Sequence, residues 1–201
     1  MPAASHQLPL IGGRISIDFA NACQVPSNLA WDKLVIFLES TKIISPDRGA
    51  QLLGLREVEP QAAEMLLRKA RRLGASSRLL FSAVVRKQKI SEEWIEPVNE
   101  ILRITEGHDE LVQRGANWQI EFIARESGLE WLLAAIARSA ADIVAAGAEA
   151  RLRVCANPGC GLFFYDESRT HRRRWCSMAV CGNRSKVAAF ARKHSSSGRV
   201  M

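Results

Sequence analysis

No stretch of this chain reaches the roughly 18 uninterrupted apolar residues expected of a membrane-spanning helix. Residues 1–9, from Met1 to Pro9, show neither the basic start nor the apolar run of a signal peptide. The expectation is a soluble, cytoplasmic protein with no membrane partner. Histidine is scarce, and His6, His108, His171 and His194 form no His-Glu-x-x-His array. No phosphate loop, Gly-x-Ser-x-Gly elbow or dinucleotide fingerprint occurs either. Nothing therefore points to an enzyme, and no catalytic residue is assigned. Internal repeats and low-complexity segments are also absent.

Acidic residues are nearly missing from the last quarter of the chain. Residues 151–201 hold 11 Lys and Arg against only Asp166 and Glu167, a balance of +9, whereas residues 1–150 balance at −2. All of the net +7 therefore sits at the C-terminal end. Four thiolates around one Zn²⁺ would leave that end at about +7. A concentrated positive charge of this size favours an anionic partner, of which nucleic acid is the commonest.

Four of the five cysteines lie in the same region, as Cys155-x4-Cys160 and Cys176-x4-Cys181. In a reducing cytoplasm such pairs hold a metal more readily than they form disulfides. The Asn157-Pro158-Gly159 turn can fold the first pair onto one tetrahedral centre. Four cysteines saturate zinc and leave no position for water, so Zn²⁺ here is expected to be structural. About 40 residues bury little surface alone, and structural zinc supplies roughly 10–16 kcal/mol, so the metal decides whether this part folds. Leu162 to Tyr165 reads as a strand, with Arg172 to Trp175 returning beside it. Ser177 reads as the N-cap of a helix that carries Cys181 and uses Val180, Val187 and Phe190 as its packing side. Cys23 is expected to be a small buried hydrophobe.

Upstream, Ile15, Ile17 and Phe19 alternate with polar residues, which fits a short strand or the start of a helix. Amphipathic helices are expected over 29–40, from 46 through Leu53, and over 60–88 with a stripe of Ala62, Met65, Leu66, Leu73, Leu80 and Val84. Gly74 and Ser76-Ser77 suggest a bend in the last of these. Ser91-Glu92-Glu93 resembles a helix start, with its acids near the positive end of the macrodipole. Pro97 comes too late for a first turn there, however, which moves the expected start to near Glu96 in a helix that runs to Glu106. Leu111 to Ile123 fits a β-hairpin around Gly115-Ala116-Asn117, and 129–148 a buried helix closed by Gly147. The fold class is mainly α with a small β component (α+β): a helical N-terminal domain with a β-hairpin over 1–150, a treble-clef-like zinc finger with four cysteine ligands over 151–195, and a disordered tail at 196–201.

Cys181-Gly182-Asn183-Arg184, preceded by Arg173-Arg174-Trp175-Cys176-Ser177-Met178 and followed by Lys186, resembles the CGNR zinc finger. Gly13-Arg14-Ile15-Ser16-Ile17-Asp18-Phe19-Ala20-Asn21 resembles the opening of the ABATE domain, which precedes that finger in bacterial proteins; Ala22 departs from the Thr or Ser common there. The resemblance implies that Cys155, Cys160, Cys176 and Cys181 bind zinc, that the finger binds DNA, and that the N-terminal part is a stress-linked regulatory domain.

Beside the metal, Arg172 and Arg174 on the returning arm are candidates for phosphate contact, with Arg173 neutralising the zinc-thiolate centre. Arg184, Lys186, Arg192 and Lys193 on the final helix complete the proposed nucleic-acid surface. Asp18, Asn21 and Arg72 are candidates for an effector pocket, although turn or cap hydrogen bonds explain the first two better than a ligand role does. The leading function is a bacterial DNA-binding transcription regulator. The alternative is a zinc-stabilised protein-interaction adaptor, with a homo-oligomer open in either case, and a thiol redox sensor is the third reading.

Overall fold

The computed structural model describes residues 10–25, 28–104, 107–115, 117–124 and 128–195. In chain order its elements are α1 (Ile15–Ala22), α2 (Trp31–Ser40), α3 (Pro46–Val58), α4 (Pro60–Arg86) and α5 (Glu92–Ile104). There follow the antiparallel strands β1 (Gly107–Arg114) and β2 (Asn117–Ala124), then a 3-10 turn Glu130–Leu133 leading into α6 (Ala134–Ala146). Strands β3 (Leu152–Val154) and β4 (Phe163–Tyr165) come next, and a π turn Met178–Gly182 opens into α7 (Asn183–Ser195). The chain is mainly helical with two small two-stranded sheets. The expected tail at 196–201 lies outside the described residues.

Eight residues are too few for an isolated helix to persist in water, so α1 depends on its surroundings. It packs against α4, α6 and β4, and Ile17, Phe19 and Ala20 are fully buried. That enclosure settles the strand-or-helix ambiguity: apolar residues on several sides of one helical turn all find cover. Phe19 meets the Phe37 ring edge-on at 5.0 Å between centroids. The buried Ser16 hydroxyl is satisfied by Ser139 at 2.9 Å, as a polar group inside a core must be.

The long helix α4 is continuous through Gly74. A Cβ at Gly74 would lie 2.5 Å from Cys23 Sγ, so the glycine admits α1's C-terminal end against α4. The buried side of α4 is Ala63, Leu66, Leu67, Ala70, Leu73, Leu80 and Phe81, whereas Met65 is exposed. The stripe expected from sequence is therefore displaced by one position in its first turn. Trp31 ties α2 to α3 by donating its indole N–H to the Leu52 carbonyl at 2.9 Å.

Helix α3 continues to Val58, beyond the expected Leu53, with Ser45 capping it by accepting from the Arg48 amide. Helix α5 starts at Glu92 rather than near Glu96, and Pro97 lies inside it. The acidic first turn, Glu92 and Glu93, favours that start by up to about 1 kcal/mol per acid, and burial of Val98 and Ile101 helps to offset the hydrogen bond that Pro97 removes. Lys69 of α4 holds Glu130 at 2.8 Å, and Arg72 holds Glu100 of α5 at 2.9 Å, joining α4, α5 and the turn before α6.

The segment Glu130–Glu149 is the one span among the described residues that is long and apolar enough to cross a membrane. Its Leu132, Leu133, Ile136, Ala137, Ala140 and Ile143 belong to the helical core, which accounts for that composition. The hairpin joins β1 and β2 from Gly107↔Ala124 to Arg114↔Asn117, longer at both ends than expected.

Gly74→Ala tests the close approach of α1 and α4. Alanine's better helix propensity is worth up to about 1 kcal/mol, but overpacking against Cys23 costs roughly 1–3 kcal/mol. The expected result in urea unfolding is a net loss of stability. Combining it with Cys23→Gly should cost less than the sum of the two single substitutions.

Candidate metal centre

Strands β3 and β4 pair as Leu152↔Tyr165, Arg153↔Phe164 and Val154↔Phe163. Cys155 follows β3 directly, and its amide donates to the Leu162 carbonyl at 2.9 Å. The Asn157-Pro158-Gly159 turn is closed by the Cys160 amide donating to the Asn157 carbonyl at 2.9 Å. Gly161, at φ +64, swings the chain out of this knuckle toward β4.

The partner of β4 differs from the expected one. Residues 172–175 form no strand; Leu152–Val154 occupies that edge instead, and the Ala156 amide reaches the Arg174 carbonyl at 2.8 Å. The apolar-polar-apolar order of Leu152-Arg153-Val154, immediately before the first cysteine, is the signal that could have located this strand. Ser177 caps the following turn as expected, accepting from the Val180 amide at 3.3 Å. The π turn then carries Cys181 inward.

These devices bring the sulfurs of Cys155, Cys160, Cys176 and Cys181 within 4.8 Å of one another. Cys160 and Cys176 are 3.6 Å apart, and Cys176 and Cys181 3.7 Å. A tetrahedron with Zn–S bonds of about 2.3 Å has edges of about 3.8 Å, whereas a disulfide would need about 2.05 Å. All four are free thiols, and the separations fit one tetrahedral metal. The donor set and its geometry match structural Zn²⁺, with no position left for substrate or water.

As free thiols the four make poor neighbours. Burial, then the adjacent sulfurs, push the Cys176 thiol well up. Burial also raises Cys160. Cys155 is drawn down despite its burial, because the amides of Cys176 and Asn157 point at its sulfur. A bound cation reverses this balance by deprotonating its ligands outright.

The surrounding groups complement such an anionic centre. Arg173 lies over the buried Phe164 ring at 4.6 Å and donates through Nε to the Trp175 carbonyl at 2.8 Å. Its guanidinium also reaches the Cys176 carbonyl. Asp166, which in sequence looks like a simple turn residue, is fully buried. Burial opposes its charge, but its bonds from Ser168, the Arg173 amide and Arg153 hold the carboxyl below the ordinary range. Arg153 Nε and the Arg173 amide each lie 3.0 Å from Asp166 Oδ2. Confinement of the acids to one adjacent pair, Asp166-Glu167, in an otherwise cationic segment is the sequence sign of this internal counter-ion.

Of the proposed nucleic-acid contacts, Arg172, Arg174, Arg184 and Lys186 are exposed. Arg192 and Lys193 fall within α7, but their side chains lie outside the described part of the structure. Asp18, Asn21 and Arg72 have separate partners. Asp18 accepts from the Gly12 amide at 2.7 Å, and burial raises its pKa against the pull of the Gly12 and Ile11 amides. Asn21 pairs with both backbone groups of Phe163, donating to its carbonyl and accepting from its amide, each at 2.9 Å. Arg72 is engaged by Glu100.

Asn21 thereby joins α1 to the metal-binding hairpin. The same junction holds Phe163 edge-on to Phe81 at 6.0 Å, the Tyr165 amide on the Gly12 carbonyl at 2.7 Å, and Arg14 paired with Glu167 at 2.5 Å. Cys23, behind it, is buried with its thiol pushed up to about 12 by burial, an inert packing residue.

Two family models match this chain. The CGNR zinc finger covers residues 151–194, and the ABATE model, described as "Putative stress-induced transcription regulator", covers residues 13–147. No curated protein matches it.

Asp166→Asn removes the counter-ion behind the metal loop. Loss of a group that orients a metal site typically costs 10–100-fold in affinity, so chelator competition should show zinc held about tenfold more weakly. Asn21→Ala leaves the Phe163 amide and carbonyl without their partner and should lower stability by about 2 kcal/mol. Urea unfolding of the zinc-loaded protein checks it.

Proposed function

The chain belongs to the ABATE family and carries a CGNR zinc finger, and from this we propose that it is a cytoplasmic, bacterial DNA-binding transcription regulator. In this reading residues 1–150 form the regulatory body, which responds to a stress signal through a ligand or protein partner, and residues 151–195 form the finger that meets DNA. The protein acts by binding, not by catalysis, in keeping with a saturated metal site and with families of regulatory and zinc-finger type.

The observation that carries this reading is the placement of Arg172, Arg174, Arg184 and Lys186. All four are exposed, on a frame set by the cysteine cluster, and no Asp or Glu follows Glu167 in the chain. The zinc-thiolate charge has its own internal complement in Arg173, so the outer cations remain for a partner's phosphates. Asn21 serves to join the body to the finger, Asp18 to hold the Gly12 turn that precedes α1, and Arg72 to join α4 to α5.

A second reading, the zinc-stabilised interaction adaptor, draws on one observation. Leu111 and Ile120 face each other across β1 and β2 and are 60% and 72% exposed. If this hairpin serves self-association, sedimentation should show an oligomer that Ile120→Lys dissociates.

For DNA binding, anisotropy titrations across salt concentrations are decisive. Each phosphate contact contributes a log–log slope of about 0.9. Arg172→Gln with Arg174→Gln and Lys186→Gln should weaken binding on all sequences and reduce the slope by about 2 to 3. An unchanged slope in this variant, at full zinc occupancy, would count against the surface.

A further inference from the structure

We propose that α7 enters the major groove of DNA and that Val187, at the middle of its outer face, reads the methyl groups of thymine. This rests on the DNA-binding reading above and adds to it which element meets the base edges. The starting point is a reversal of expectation. Val180, Val187 and Phe190, anticipated as the packing side of this helix, are 49%, 69% and 66% exposed. The helix packs chiefly on the π turn that precedes it, so its apolar side looks outward.

The arrangement around that side is specific. At about 100° per residue, Asn183, Val187, Phe190 and Ala191 fall on one face, spaced i, i+4, i+7 and i+8. Arg184 borders this face on one flank and Lys186 on the other, and both are exposed. An apolar strip between two cationic edges matches the cross-section of a major groove, where base edges lie between two walls of phosphate. The groove is about 12 Å wide and admits one α-helix. The 13 residues of α7 span about 20 Å, enough to cross it.

Charge separates DNA from other occupants. A second copy of α7 would bring the same cations against Arg184 and Lys186. Within the strip, one of the two Asn183 amide N–H groups donates to the Ala179 carbonyl at 3.1 Å, which ties that side chain to the preceding turn. Val187 then supplies apolar contact, the mode that distinguishes thymine by its C5-methyl group.

The test uses the full-length, zinc-loaded protein. Sequences bound from a random duplex pool are recovered, and each thymine of the selected site is replaced in turn by uracil, which lacks only the methyl. At least one replacement should weaken wild-type binding about fourfold, the value of one buried methyl group. Val187→Ala should be indifferent to that same replacement while keeping the wild-type salt slope. Because Val187 is exposed, zinc content and circular dichroism should match the wild type.

Absence of any DNA binding by the wild type would overturn both this inference and the reading beneath it. Binding without thymine-methyl dependence, or with equal dependence in Val187→Ala, would overturn the inference alone. A wild-type dimer that Val187→Glu dissociates would assign the face to a second copy and overturn it as well.

Discussion

Four sulfurs held within 4.8 Å of one another, with three of the four cysteines buried, form an arrangement that only a cation makes favourable. Without one, the thiols exchange hydration for a crowded site with few donors. With one, each sulfur gains a bond, and the amides aimed at Cys155 become contacts to a thiolate. The turn at Asn157–Gly159, the arm through Arg174 and the π turn at Met178–Gly182 all have their course set by this centre. Arg184 and Lys186, on the first turn of α7, take their places for the same reason.

The centre is also tied into the helical body. Leu152 and Phe163 flank the cysteine knuckle, yet both belong to the core cluster formed by α1, α2 and α4. A separate cluster of Phe164 with Cys155, Cys176 and Cys181 lies on the metal side. Phe163 and Phe164 are consecutive strand residues, so their side chains point to opposite faces. One three-residue strand thus divides its faces between two cores. Asn21 fixes its register by pairing with both backbone groups of Phe163, so the strand that carries the metal knuckle is anchored directly to α1.

The metal ligands were legible in sequence because chelation imposes a chemical pattern, paired cysteines at short spacing, that does not depend on the fold around it. The long helices were legible for a similar reason: burial on one side imposes the 3.6-residue period. What escaped the sequence were facts about neighbours. Whether Ile15 to Phe19 was strand or helix depended on α4, α6 and β4 enclosing it. That Gly74 serves a close contact depended on Cys23 arriving from another element. The true partner of β4 was a segment of only three residues, whose Leu152-Arg153-Val154 alternation is a single strand period and stands out only once β4 lies beside it. Asp166 looked like a turn residue because its burial is created by Arg153 and Arg173, which the chain brings to it only after folding.

The outer face of α7 is the most instructive of these differences. An amphipathic pattern states that one side of a helix leaves water, but not when. In α1 and α4 it does so on folding, whereas Val187 and Phe190 remain in water in the folded chain. A 13-residue helix resting on one turn has little apolar surface to retain, and its order rests on the metal beneath Cys181. That division of labour permits the exposed side to be selected for contact rather than for packing. Zinc supplies the rigidity that a hydrophobic core would otherwise provide, so a helix with little buried surface keeps its place beside Cys181.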